Sequence, residues 1–112
     1  MTEFVFLYRG GDRPTSPEVG QQIMQKWMGW LKGLADRGHM IDRGQPLEHT
    51  GKIVARDGTV TDGPFAEAKD VVGGFSLIRA RDVAEAAELA KGCPVLGYGG
   101  RVEVRPVMKL DM

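Results

Sequence analysis

Apolar residues alternate from Glu3 to Tyr8, with Phe4, Phe6 and Tyr8 on one face of an extended chain and Val5 and Leu7 on the other. This spacing predicts a strand that is apolar on both sides. The period then lengthens. Val19, Ile23, Trp27, Trp30, Leu31 and Leu34 fall within an arc of about 120° at about 100° per residue, opposite Gln21, Gln25, Lys32 and Asp36. A helix is expected from Pro17 to about Arg37, after a loop rich in glycine and proline. Thr15-Ser16-Pro17-Glu18 supplies its capping signal, Gly38 supplies a left-handed stop, and Met24 and Met28 widen its apolar face.

His39 to Leu47 reads as a short strand interrupted by Gly44 and Pro46. Lys52–Arg56 and Thr59–Thr61 flank Asp57-Gly58, a pair that predicts a hairpin closed by a two-residue type I′ turn. A largely apolar central strand is expected from Val71 to Ala80, its Gly73-Gly74 pair marking a bulge or a close backbone approach. Asp82 with Glu85 caps a second helix that ends at Gly92, and Val102 to Val107 closes the chain as a strand. The order β-α-β, hairpin, β-α-β predicts an α+β fold: a ferredoxin-like antiparallel sheet with two helices on one face and an inserted β-hairpin. Helices on one face leave the other bare. The second apolar side of the first strand makes a homodimer packed sheet to sheet the expected way to cover it.

The 112 residues suit one domain, and 42% hydrophobic with 27% charged residues is ordinary for a globular protein. No apolar run is long enough to cross a bilayer, and the apolar run near the N-terminus is too short for a signal peptide, so a cytoplasmic location is expected. The 15 basic and 15 acidic side chains cancel, which removes the overall field that drives non-specific nucleic-acid binding. Cys93 is the single cysteine and reads as a small buried hydrophobe in a turn beside Gly92 and Pro94. Neither histidine, His39 or His49, has a partner at metal-binding helical spacing, so no metal site is expected.

Chemistry concentrates on Asp62-Gly63-Pro64-Phe65 and the charged stretch Ala66-Glu67-Ala68-Lys69-Asp70 that follows. A glycine-proline turn anchored by Phe65 would hold Asp62 in one orientation. There the carboxylate either acts as a general base of raised pKa or accepts backbone N–H bonds in its own turn. Glu67 and Lys69 share a face if extended, and either orient a polar ligand or pair with each other. Arg105 alternates with Val102 and Val104 and belongs to the face opposite the core. His39 follows the helix-ending Gly38, where a cation is favoured. Trp27 reads as core or as an apolar wall for a ligand.

The segment from Asp62 to Phe75, the helix with its tryptophans, the turn Arg37-Gly38-His39-Met40-Ile41 and the closing Val102–Val107 together resemble the DGPF group of the YCII-related family of small bacterial proteins. The resemblance spans nearly the whole chain. It implies a dimeric α+β barrel with a cavity at the subunit boundary. It also implies a histidine near the middle of the first helix working with an aspartate; here that position is Trp27, so the pair is missing unless His39 or His49 replaces it in space.

Two functions follow as expectations. One is a non-catalytic dimeric module that binds a small polar or anionic ligand through Glu67, Lys69, Arg105, Trp27 and His39, or that serves regulation, the resemblance implying an indirect link to sigma factors. The other is an acid/base enzyme of the lyase, isomerase or dehydrochlorinase kind, with Asp62 as its base. With no phosphate loop and no dinucleotide fingerprint, no cofactor is expected.

Overall fold

The computed structural model describes residues 1–64 and 70–111. Strand β1 (Thr2–Gly10) buries Phe4, Phe6 and Tyr8 as the alternation requires, and leaves Val5 and Leu7 half-buried on its other side. Helix α1 (Pro17–Asp36) starts at Ser16, whose Oγ accepts the Val19 N–H at 3.2 Å. It ends where Gly38 turns left-handed at φ 80° and the His39 N–H bonds to the Leu34 carbonyl at 2.9 Å. Strand β2 (Met40–Asp42) is shorter than the expected His39–Leu47. The Asp42 carboxylate accepts the Gly44 N–H at 2.8 Å, and this side-chain turn ends the strand before the chain touches the sheet again at Pro46 and Gly74.

Strands β3 (Gly51–Val54) and β4 (Val60–Gly63) form a separate two-stranded hairpin. Its turn differs from the two-residue form. The Ala55 N–H bonds to the Thr59 carbonyl at 2.8 Å, the Gly58 N–H to the Ala55 carbonyl at 2.9 Å, and only Gly58 has positive φ, at 88°. Asp57 stays right-handed because its carboxylate accepts the Thr59 N–H at 2.8 Å, and the connection becomes the longer kind with a single left-handed glycine. Asp62 and Gly63 belong to β4 and pair with Lys52 and Gly51, while the rest of the expected turn from Phe65 lies outside the described residues.

Strand β5 (Val72–Ala80), helix α2 (Val83–Ala90), a 3-10 helix (Pro94–Tyr98) and strand β6 (Gly100–Pro106) complete the chain. Asp82 caps α2 by accepting the Glu85 N–H at 2.9 Å. The main sheet runs β2-β5-β1-β6 with every neighbour antiparallel, the ferredoxin-like order once the hairpin is set aside. The register slips where Tyr8 faces Gly74 and Arg9 faces Val72, so the glycine pair does mark a bulge. A Cβ on Gly74 would come within 3.0 Å of the Gln45 carbonyl; the glycine is what lets the loop after β2 lie against the sheet.

Phe4, Phe6, Leu34 and Ile78 are fully buried with Ala80, Ala86, Ala90, Cys93 and Val95 between the helices and one face of the sheet. Each such large apolar side chain contributes about 1.5–3 kcal/mol. The opposite face carries two ordered rows, Leu77-Val5-Arg105 and Phe75-Leu7-Glu103. Phe75 is 39% exposed there. Both described helices pack on the other side, and no described helix is long and apolar enough to span a membrane.

Candidate functional site

The apolar stripe of α1 is wider than the sheet beneath it can cover. Met24 and Met28, on the edge of that stripe, remain exposed, and with Trp27 and Leu31 they roof a cavity of about 420 Å³. Its floor is Tyr8 from β1 with Gly74 and Ser76 from β5, and its sides are the loops that follow β1 and β2. Tyr98 and Val95 of the 3-10 helix close one end, while the exposed side chains of Asp12, Arg13, Arg43 and His49 line the mouth. The volume and the apolar wall with few polar groups match those of small-molecule sites.

A polar network runs through this apolar surround. The Tyr8 hydroxyl donates to Ser76 Oγ at 2.7 Å, and the Ser76 hydroxyl donates to the Arg43 carbonyl at 2.6 Å. Trp27 Nε1 donates to the Tyr98 hydroxyl oxygen at 2.7 Å. The Trp27 ring meets Tyr8 edge to face at 4.6 Å and Trp30 at 5.8 Å, so the indole is held on two sides. Burial raises the pKa of Tyr8 well above that of an ordinary phenol, and burial also raises that of Tyr98. Both are neutral hydrogen-bonding groups at physiological pH. Burial pushes the Cys93 thiol up to about 12, which leaves it a packing residue without thiolate character.

Among the described residues, those expected from sequence do not converge. Trp27 is the roof of the cavity. His39 lies at the other end of α1, where its Nδ1 donates to the Arg79 carbonyl at 2.9 Å. Arg105 is on the open face of the sheet and pairs with Glu103 at 3.4 Å, while Arg9 Nη1 holds the same carboxylate at 2.7 Å. That Arg9 bond is the main reason the Glu103 carboxyl titrates below the usual range. Glu67 and Lys69 lie outside the described residues.

Asp62 is not in a desolvated turn. Its side chain is 90% exposed and pairs with Lys52 Nζ at 2.5 Å across the hairpin. It does line an open pocket with His49, and His49 also lines the main cavity. Of the two histidines, His49 is thus the one brought near Asp62.

Tyr8, Ser76 and Tyr98 were not singled out in advance. Ser76 had a legible signal: it is the one hydroxyl side chain on the buried face of β5, between Gly74 and Ile78. Tyr98 had none, because it is surrounded by glycines at 97, 99 and 100 and meets Trp27 from 71 positions away.

The profile of the YCII-related domain matches residues 4–111. No curated protein matches the chain. Among solved structures it is similar to a 5-chloro-2-hydroxyhydroquinone dehydrochlorinase from Burkholderia phenoliruptrix AC1100 in complex with 2,5-dihydroxybenzoquinone, with a TM-score of 0.53 at 22% identity over 96% of this chain and 95% of that one. At this identity the likeness is one of fold.

Proposed function

Since the chain belongs to the YCII-related domain family, we propose that it binds a small polar ligand in the cavity beneath α1 and works as a homodimer joined through the open sheet face. One observation carries the binding reading: a cavity of about 420 Å³ combines an indole, two neutral phenols and a mouth bearing Arg13 and Arg43. The aromatic surfaces favour a planar molecule and the arginines favour anionic substituents on it. Titration with 2,5-dihydroxybenzoquinone, followed by protein NMR, should shift the Trp27 indole and the amides of Tyr8, Ser76 and Tyr98. Saturable shifts confined to the hairpin or the open face would exclude this cavity.

The dimer rests on Val5, Leu7, Leu77 and Phe75, a central apolar patch flanked by the Arg9-Glu103-Arg105 ion pairs. Its burial would leave those ion pairs satisfied within each copy. The cavity lies inside one chain, on the helix side of the sheet, so binding does not require a subunit boundary. In a cytoplasmic regulatory setting beside a sigma factor, ligand occupancy rather than turnover would carry the signal.

A second reading is cofactor-independent acid/base catalysis with Asp62 as the base. It is supported by the dehydrochlorinase neighbour and by the pocket that Asp62 shares with His49. Chloride release from 5-chloro-2-hydroxyhydroquinone should then be abolished by Asp62→Asn with thermal stability unchanged. Absence of chloride release from the unaltered protein would end this reading.

A further inference from the structure

The hydrogen bonds around Trp27 have directions that the donor chemistry settles without ambiguity. A carbonyl only accepts, so Ser76 spends its one proton on the Arg43 carbonyl at 2.6 Å. Ser76 Oγ must then accept from Tyr8 at 2.7 Å, which commits the Tyr8 proton and leaves that phenol only lone pairs to offer the cavity. Tyr98 is the reverse. An indole N–H only donates, so the Tyr98 oxygen accepts from Trp27 at 2.7 Å, and its own proton enters no hydrogen bond among the described residues.

We infer that the cavity reads hydrogen-bond polarity: Tyr8 serves as an acceptor and Tyr98 as a donor, and together they select a planar conjugated molecule carrying both an O–H or N–H donor and a carbonyl acceptor. The inference rests on the proposed binding in this cavity and adds the ligand class. Both phenols touch the same indole, Tyr8 ring to ring in a T-shaped contact and Tyr98 through its oxygen, so one small molecule beside Trp27 can meet them together. Burial keeps both phenols neutral, and neither can change role by losing its proton near neutral pH. Ser76, fully buried in the cavity floor, acts by setting the polarity of Tyr8, which makes it a positioning residue.

The test titrates the full chain with three probes of one size, followed by NMR of the cavity residues. 4-Hydroxyacetophenone has donor and acceptor, 4-methoxyacetophenone only the acceptor, and 4-ethylphenol only the hydroxyl. The first should bind roughly tenfold tighter than either of the others, the effect of one neutral hydrogen bond partner left unpaired. Tyr98→Phe should erase the preference over 4-ethylphenol and keep the preference over 4-methoxyacetophenone. Ser76→Ala releases the Tyr8 proton and should relieve the penalty on 4-methoxyacetophenone, an inversion that mere loosening of the cavity would not produce. If Ser76→Ala fails to fold, the Tyr98→Phe pattern alone decides. Equal affinities for all three probes, with cavity shifts present, would overturn the polarity inference while binding stands. No cavity shift with any probe would overturn the binding reading itself.

Discussion

The cavity beneath α1 and the β3–β4 hairpin hold the same kinds of polar groups under opposite conditions. Tyr8 and Ser76 bond to each other in the buried interior; without Ser76 the Tyr8 hydroxyl loses its one partner among the described residues, and without Tyr8 the Ser76 hydroxyl keeps only the Arg43 carbonyl. Asp62 and Lys52 meet at 2.5 Å on side chains 90% and 67% exposed, where water replaces either partner at once. Val54 and Val60 of the hairpin are 69% and 57% exposed, whereas the residues that support Trp27 are interlocked aromatics. The lesson concerns precision. A desolvated network imposes donor and acceptor roles, while an exposed ion pair acquires a defined role only when something covers it.

The sharpest way to break the comparison is Trp27→Ala against Asp62→Ala in denaturant unfolding. The first removes an aromatic wall and the Tyr98 bond and should cost about 3 kcal/mol, toward the lower end for a half-buried aromatic. Equal losses from the two would show the hairpin to be as firmly packed as the cavity.

Alkaline pH also acts on the buried side alone. The Cys93 thiol titrates at about 12 when folded and near 8.5 when unfolded, so its stabilising contribution is complete below about pH 8.5 and falls with rising pH. The loss approaches about 1.4 kcal/mol per pH unit for one such group, and Tyr8 adds to it above about pH 10. Thermal melts from pH 7 to 11 should show the decline, and Cys93→Ala should delay its onset; a flat profile would contradict the burial of the thiol.

Tyr8→Phe deletes the donor to Ser76 and should cost about 1–2 kcal/mol by the same unfolding measurement. At the small end, Lys52→Ala should change stability by less than about 1 kcal/mol, an effect that shrinks further in salt. A larger effect, lost on dilution, would show that a second copy covers the hairpin.

Much of the fold was legible because its elements are set by local periods. Phe4, Phe6 and Tyr8 marked β1, the stripe from Val19 to Leu34 marked α1, and Asp82 marked the start of α2. Boundaries failed where a carboxylate competed with the backbone. Asp42 cut β2 short, and Asp57 lengthened the hairpin connection by taking the Thr59 N–H. The site was legible only at Trp27. Its other parts arrive from β1, β5 and the 3-10 helix, and no local pattern encodes a meeting between Trp27 and Tyr98.

Arg9 gives the open sheet face a consequence beyond association. One prong of its guanidinium grips Glu103 on β6 at 2.7 Å, and the other donates to the Asp70 carbonyl at 2.8 Å, just before β5, while Arg101 pairs with the Asp70 side chain. A single planar fork thus acts as a mechanical clasp between the edge strand and the chain returning from the hairpin. A lysine, with its point charge, cannot reproduce that two-pronged grip. Strain applied at the open face would thereby reach Asp70, at the entrance to β5, through one side chain.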